Sequence, residues 1–142
     1  FTIRDGGIGS DTDTDGTTLT SIDFEVTNSE NLAALAIIDL GTFASVAETT
    51  SVTPTTTLDG FSITAADGGT RQFVVLASFK SVVTDNEQIQ LTISSATAPA
   101  AGSSLFTSYN AGGAQTSIVG DDNRIEVIAS KFEFTQQPTE MK

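Results

Sequence analysis

Apolar and polar residues alternate through much of this chain, and that period of two is the feature that most restricts its fold. Ile22, Phe24 and Val26 alternate with polar residues, which is typical of a strand with one buried face. The same alternation recurs in the runs 61–63, 73–79, 89–93 and 125–129. Turn signals separate the runs about every ten residues, so the sequence predicts an all-β, antiparallel, two-sheet β-sandwich of about nine strands.

One hairpin is predicted from the turn signals. The runs 73–79 and 89–93 flank Asp85-Asn86, and a polar turn between two alternating runs favours a hairpin. Further along, the residues 96–113 are rich in Ala, Gly and Ser. They predict a long connection with one short strand near 105–109.

The segment before this hairpin allows two interpretations. Leu32, Leu35 and Ile38 are spaced as on one face of a helix. The turn-forming exit Asp39-Leu40-Gly41-Thr42 and the following run 43–48 favour a β-hairpin instead. We expect the hairpin.

The composition excludes several kinds of active site. The 142 residues suit one domain, and they include no cysteine, histidine or tryptophan. Without cysteine the chain has neither disulfides nor thiolate metal sites. Without histidine it lacks the base of Ser-His-Asp and Cys-His hydrolases. A pair of carboxylates could still hydrolyse glycosides, but the sequence shows no acidic pair beside aromatic residues that would form a sugar platform. We expect no enzymatic activity.

Charge and hydropathy limit the partners. The chain has 18 acidic and 6 basic residues, for a net charge of −12, which is opposite to the charge that nucleic-acid binding requires. No apolar run approaches the roughly 20 residues that span a bilayer. We expect neither nucleic-acid binding nor membrane insertion.

An acidic loop is the strongest candidate site. Asp11, Asp13 and Asp15 stand on alternate residues, and their carboxylates repel one another unless a cation lies among them. Hard oxygen ligands suit Ca²⁺. Asp23, on the outward face of the next strand, and Asp5, just upstream, are the nearest further carboxylates. The sequence therefore predicts a calcium site formed by Asp11, Asp13, Asp15, Asp23 and Asp5.

The loop also has other interpretations. Its D-x-D-x-D-G pattern begins like an EF-hand, but position twelve is Ile22 and a strand follows where a helix is required. The alternative to calcium is a solvated turn whose aspartates accept hydrogen bonds from their own backbone. The segment Gly120-Asp121-Asp122-Asn123 is interpreted as a second acidic turn, between a strand at 116–119 and the run 125–129, with a weak second cation site as the alternative.

The chain resembles a known family of repeats. The start 1–7, the acidic loop and the segment 17–22 resemble the beginning of a β-sandwich repeat in very large, secreted surface proteins of flavobacteria-like gliding bacteria. Later landmarks of that repeat, and its exit into the next repeat, are similar to 84–88, 110–114, 120–127 and 131–138.

The resemblance implies an Ig-like module in a tandem array of a cell-surface adhesin or filament, exported by the type IX pathway and extracellular. Its expected partners are neighbouring modules of the same chain, with a surface glycan or self-association as further possibilities. Residues 1–134 are expected to form the module and 135–142 a linker or the start of the next module. The alternative is a calcium-dependent carbohydrate-binding module that uses the loops 11–15 and 103–115.

Overall fold

A computed structural model describes residues 1–6, 13–99, 101–103, 106 and 124–127. Nine strands lie within these residues, and a single 3₁₀ turn, Ser29–Asn31, precedes the fourth of them. The strands are β1 Thr2–Arg4, β2 Thr17–Leu19, β3 Ser21–Val26, β4 Leu32–Asp39, β5 Ser45–Thr49, β6 Thr55–Leu58, β7 Ile63–Ala65, β8 Thr70–Phe79 and β9 Leu91–Thr97.

The strands form antiparallel sheets. A four-stranded sheet has the order β1-β8-β4-β5, a three-stranded sheet has the order β6-β3-β9, and β2 pairs with β7. Each of these pairings is antiparallel. The prediction of an all-β, antiparallel fold is confirmed, and the arrangement is consistent with a β-sandwich.

One hydrophobic core is shared by all three sheets. The predicted alternation of β3 is confirmed, because Ile22, Phe24 and Val26 are buried while Glu25 is exposed. The core comprises Ile3, Leu19, Ile22, Phe24, Val26, Leu32, Leu35, Ile37, Leu58, Ile63, Ala65, Phe73, Ile89 and Ile125.

The hairpin interpretation of the segment after Asn31 is confirmed. β4 pairs antiparallel with β5 across the turn that follows Asp39. The register of β4 against β8 shifts between Leu32 and Ala34, and this bulge lets Leu32 and Leu35 both face the core although they are three residues apart. The helix-like spacing of these two leucines is therefore produced by a bulged strand.

The predicted hairpin between the runs 73–79 and 89–93 is wrong. β8 pairs with β1 and β4, whereas β9 pairs with β3 in the three-stranded sheet. The turn at Asp85-Asn86 is present, and Asn86 has a φ of 62°. It belongs, however, to a connection that carries the chain from one sheet to another. Alternation identifies a strand and its buried face, but it does not identify the neighbouring strand.

Several predicted features lie outside the described residues. They are the strand 116–119, the last strand beyond Val127, the short strand near 105–109 apart from Phe106, the turn 120–123 and the boundary between 134 and 135. The described segment 124–127 is joined to the rest of the fold by a bridge between Gln88 and Arg124. β9 extends to Thr97, so the connection predicted to begin at Ala96 begins after that strand.

Candidate functional site

Among the predicted calcium ligands that the structure describes, Asp5 is the one that lies in the interior. It directly follows β1 and is 3% exposed. Its Oδ1 accepts a hydrogen bond from the Thr17 hydroxyl at 2.6 Å, and its Oδ2 accepts one from the Gly68 N–H at 2.9 Å. Gly68 has a φ of +63°, a left-handed conformation that glycine adopts without steric cost. These three residues, the Asp5 cluster, connect the end of β1 to the start of β2 and to the turn between β7 and β8.

Asp13 and Asp15 lie on the surface. Both are exposed, and Asp13 Oδ1 accepts a hydrogen bond from the Asp15 N–H at 2.9 Å. An aspartate that bonds a backbone N–H two residues ahead forms an Asx turn, which is the geometry of the alternative, solvated-turn interpretation. Asp11 lies outside the described residues.

Asp23 stabilises a strand pair. It lies on β3 opposite Thr57 of β6, and its Oδ1 accepts a hydrogen bond from the Thr57 hydroxyl at 2.6 Å. The residues that follow the acidic loop form strands rather than a helix, so the loop is not followed by the exiting helix of an EF-hand. Among the described positions, no three acidic side chains are grouped closely enough to hold a metal ion. The five-aspartate calcium site therefore stays a prediction.

An ion pair between a buried carboxylate and a partly exposed guanidinium closes one end of the four-stranded sheet. Asp39, the last residue of β4, is 3% exposed, and its Oδ2 lies 2.5 Å from Nη2 of Arg71 on β8. Its Oδ1 accepts hydrogen bonds from the N–H groups of Gly41 and Thr42, at 2.7 and 3.3 Å. The Gly41 N–H holds the pKa of the Asp39 carboxyl below its ordinary value; burial opposes this shift, and Arg71 reinforces it.

Arg71 also reaches the neighbouring sheet. Its guanidinium lies over the Phe73 ring, 5.8 Å from the centroid, and its Nη1 donates to the Thr64 carbonyl of β7 at 3.4 Å. The ion pair thus joins β4, β7 and β8. Sequence reasoning placed Asp39 in a turn and did not find its partner, because the two residues lie 32 positions apart.

The ion pair predicts how stability depends on pH. Because the folded-state pKa of Asp39 is lowered, its contribution is fully present above the ordinary aspartate pKa of about 3.9 and is lost as pH falls through the folded-state value. We expect the difference in unfolding free energy between the wild type and Asp39→Asn to shrink below about pH 4. Denaturant titrations from pH 7 downward measure it. Asp59→Asn, an exposed aspartate with the same charge change, is the control; an equal pH dependence for both variants would contradict the assignment.

Asn31 is the centre of a second polar cluster. It is 2% exposed, and its Nδ2 donates to Glu87 Oε2 at 2.7 Å and to the Asn28 carbonyl at 3.3 Å. Its Oδ1 accepts from the Thr84 N–H at 2.7 Å. These four residues, the Asn31 cluster, attach the start of β4 to the connection between β8 and β9.

The same connection holds the described C-terminal segment. The N–H of Asn86 donates to the Ile125 carbonyl at 2.8 Å, and the N–H of Ile125 donates to the Glu87 carbonyl at 2.9 Å. Asp85 Oδ1 accepts from the Val127 N–H at 2.8 Å. The segment 84–88, one of the landmarks quoted for the family resemblance, is therefore a structural junction between two parts of the chain.

Comparison with known proteins finds no matching family model, no similar curated protein and no similar solved structure. The strands define an all-β protein of antiparallel sheets. In the part of the chain that the structure describes, no helix has the length and apolar character needed to cross a membrane.

Proposed function

We propose that this chain is a structural module of an extracellular, tandem-repeat adhesin or filament on a cell surface, where it acts as a non-enzymatic spacer. The observation that carries the proposal is the attachment of β1. This strand pairs along its length with β8, and the buried Asp5 carboxylate then joins its end to Thr17 and Gly68. Its partners in this proposal are neighbouring modules of the same chain.

The position of β1 suits a module that carries tension. Thr2, Ile3 and Arg4 face Gln72, Arg71 and Thr70 in an antiparallel ladder. A pull along such a strand loads its hydrogen bonds together rather than one after another. The Asp5 carboxylate accepts two further bonds, one from the Thr17 hydroxyl and one from the Gly68 N–H. Such charge-assisted bonds are stronger than neutral ones. This arrangement supports a spacer role.

The acidic surface supports the same role. Adjacent modules in an array are held at high local concentration, where apolar or neutral surfaces promote association. A net charge of −12 on each module keeps neighbours apart through mutual repulsion and favours solubility. In such an acidic module, a cation bound by the acidic loop would reduce the repulsion among its aspartates.

Calcium stiffening of the acidic loop is part of the proposal, and it predicts a thermal shift. At one hundred times its dissociation constant, Ca²⁺ stabilises the folded state by about 2.7 kcal/mol, which corresponds to roughly 8 °C in Tm for a domain of this size. We expect this rise in millimolar Ca²⁺ relative to EGTA, and its loss in the variant Asp13→Asn, Asp15→Asn. The double variant Asp59→Asn, Asp67→Asn, also exposed, should keep the shift. An unchanged Tm in millimolar Ca²⁺ would contradict the predicted calcium site.

The sequence that flanks this chain in its parent protein tests the proposed function. Copies of the same pattern on either side, with strand alternation and an acidic loop at the start of each, are expected of a tandem array. An unrelated catalytic or membrane domain on both sides would overturn the spacer proposal. A glycan-array screen with and without EGTA is the complementary measurement, because calcium-dependent glycan binding would instead favour a dedicated carbohydrate-binding module.

A further inference from the structure

The turn between β4 and β5 holds a residue in an unfavourable conformation. Phe43 has a φ of 56° and is 79% exposed. A left-handed conformation is uncommon for any residue other than glycine, asparagine or aspartate, and for a bulky residue it is a true outlier. We name the residues Leu40–Ala44 the hairpin tip. Leu40, the other large apolar residue in it, is 43% exposed.

The backbone of the hairpin tip is fixed by Asp39. The Phe43 N–H donates to the Asp39 carbonyl at 2.7 Å, and the Asp39 N–H donates to the Ala44 carbonyl at 3.0 Å. The Asp39 side chain accepts from the N–H of Gly41, and Arg71 in turn holds that side chain. The positive φ of Phe43 is therefore imposed by several hydrogen bonds.

The choice of phenylalanine at this position does not serve stability. The left-handed conformation costs about 1–2 kcal/mol for a residue with a Cβ atom, and glycine or asparagine would adopt it more readily. A side chain that is 79% exposed recovers little of that cost through burial. Strained residues of this kind are concentrated at binding and switch sites, so Phe43 marks a contact surface.

A cavity lies beside the hairpin tip. It has a volume of about 400 Å³, and the described residues that line it are Asp39, Leu40, Gly41, Thr42, Thr70, Arg71 and Gln72. This volume is within the range that takes a side chain or a small ligand. The hairpin tip therefore combines a projecting apolar side chain with a neighbouring space, lined by Leu40 and several polar residues, that is large enough to hold a side chain.

We propose that the hairpin tip is a docking surface for a second copy of this module, arranged about a two-fold axis. In that arrangement Phe43 of each copy enters the cavity beside the tip of the other copy. A two-fold interface requires one patch that is complementary to itself, and a projection next to a cavity meets that requirement. The inference rests on the proposed function, since an array supplies the second copy.

The described lining of the cavity beside the hairpin tip is a neutral part of an otherwise acidic module. The chain carries −12, so two copies repel one another over most of their surface. Among the described residues that line the cavity, the single carboxylate is that of Asp39, and Arg71 neutralises it. The described lining of the cavity therefore adds no net charge to the repulsion between two copies. Because salt screens the repulsion between two acidic copies, added salt should strengthen this association.

The expected contact is small and therefore weak. An aromatic side chain buries about 150–250 Å², so two phenylalanines and two leucines remain below the roughly 1,200 Å² of a stable interface. Free modules should associate only at high concentration. Modules tethered in an array experience an effective concentration near millimolar, at which a weak contact is populated.

The test is self-association of the isolated chain. We expect sedimentation velocity from about 10 µM to about 1 mM to show a reversible dimer that strengthens from low to high salt. Phe43→Gly removes the side chain from both copies and should weaken dimerisation at least about 30-fold, because the loss of one interface hot spot alone has an effect of that size. Its Tm should be unchanged or raised, because glycine adopts the positive φ without cost.

The matched control is Val82→Ser. Val82 is 84% exposed and lies outside the hairpin tip, in the connection after β8, so its replacement should leave dimerisation unchanged. A chain that stays monomeric at about 1 mM, or an equal loss with both variants, would overturn the docking surface. Either outcome leaves the spacer proposal standing, because the flanking sequence tests that proposal separately. Conversely, a dimer that depends on Phe43 in a chain without repeated neighbours would support the docking surface and contradict the spacer.

Discussion

Replacement of Asp5 by alanine is expected to lower the free energy of unfolding by about 3 kcal/mol. Asp5 is 3% exposed, and its two carboxylate oxygens accept hydrogen bonds from Thr17 and Gly68. Hydrogen bonds to a charged group contribute about 1.5–3 kcal/mol each, and their loss leaves the buried Thr17 hydroxyl without its partner. A urea titration monitored by circular dichroism measures the change.

Two further variants separate the effect of the bonds from that of the charge. Asp23→Ala removes the same side chain from a surface position where Thr57 is its partner, and we expect a loss of about 0.5 kcal/mol. Thr17→Val keeps the size of the side chain but removes one donor to Asp5, and we expect about 1–2 kcal/mol. Equal losses for Asp5→Ala and Asp23→Ala would show that the Asp5 cluster does not stabilise the end of β1.

The sequence specified the strands better than their partners. The alternation of Ile22, Phe24 and Val26 depends on the two faces of one strand, and it correctly predicted which residues are buried. The partner of β9 depends on the path of the connection before it. Asn31 holds that connection through Thr84 and Glu87. No local sequence pattern reveals these contacts, so the prediction that β8 and β9 form a hairpin is wrong.

The candidate site was harder to predict for a related reason. Spacing alone treated five aspartates as one set, but their surroundings differ. Asp5 is buried and bonded to Thr17, Asp23 is bonded to a strand neighbour, and Asp13 bonds its own backbone. Burial is a tertiary property, so the residues of one sequence cluster can have separate roles. The pair of Asp39 and Arg71 shows the converse, because residues distant in sequence form one unit.

The Asp5 cluster and the Asn31 cluster each attach the end of a strand to a connection elsewhere in the chain. The Asp5 cluster fixes the end of β1 against the turn before β8. The Asn31 cluster fixes the start of β4 against the connection that leads from β8 to β9. Apolar residues supply the core, but they pack without direction. Directional bonds to buried polar groups are what select one path of the chain between the sheets.

We therefore expect Asn31→Ala to lower the free energy of unfolding by about 3–4 kcal/mol. The change removes bonds to Glu87, Asn28 and Thr84 at a position that is 2% exposed. Each lost bond contributes about 1 kcal/mol, with more for the bond to the Glu87 carboxylate, and the cavity left by the side chain adds to the loss. Denaturant titration gives the total.

A double-mutant cycle isolates the pair of Asn31 and Glu87. Glu87→Ala alone removes one carboxylate partner, and the double variant should lose less than the sum of the single losses by about 1 kcal/mol. Additive losses would mean that the 2.7 Å contact does not stabilise the fold. Hydrogen exchange provides the spatial control. In Asn31→Ala, amide protection should fall in 84–88 and in 124–127, which that connection holds, while the amides of the hairpin tip keep theirs because Asp39 fixes them independently.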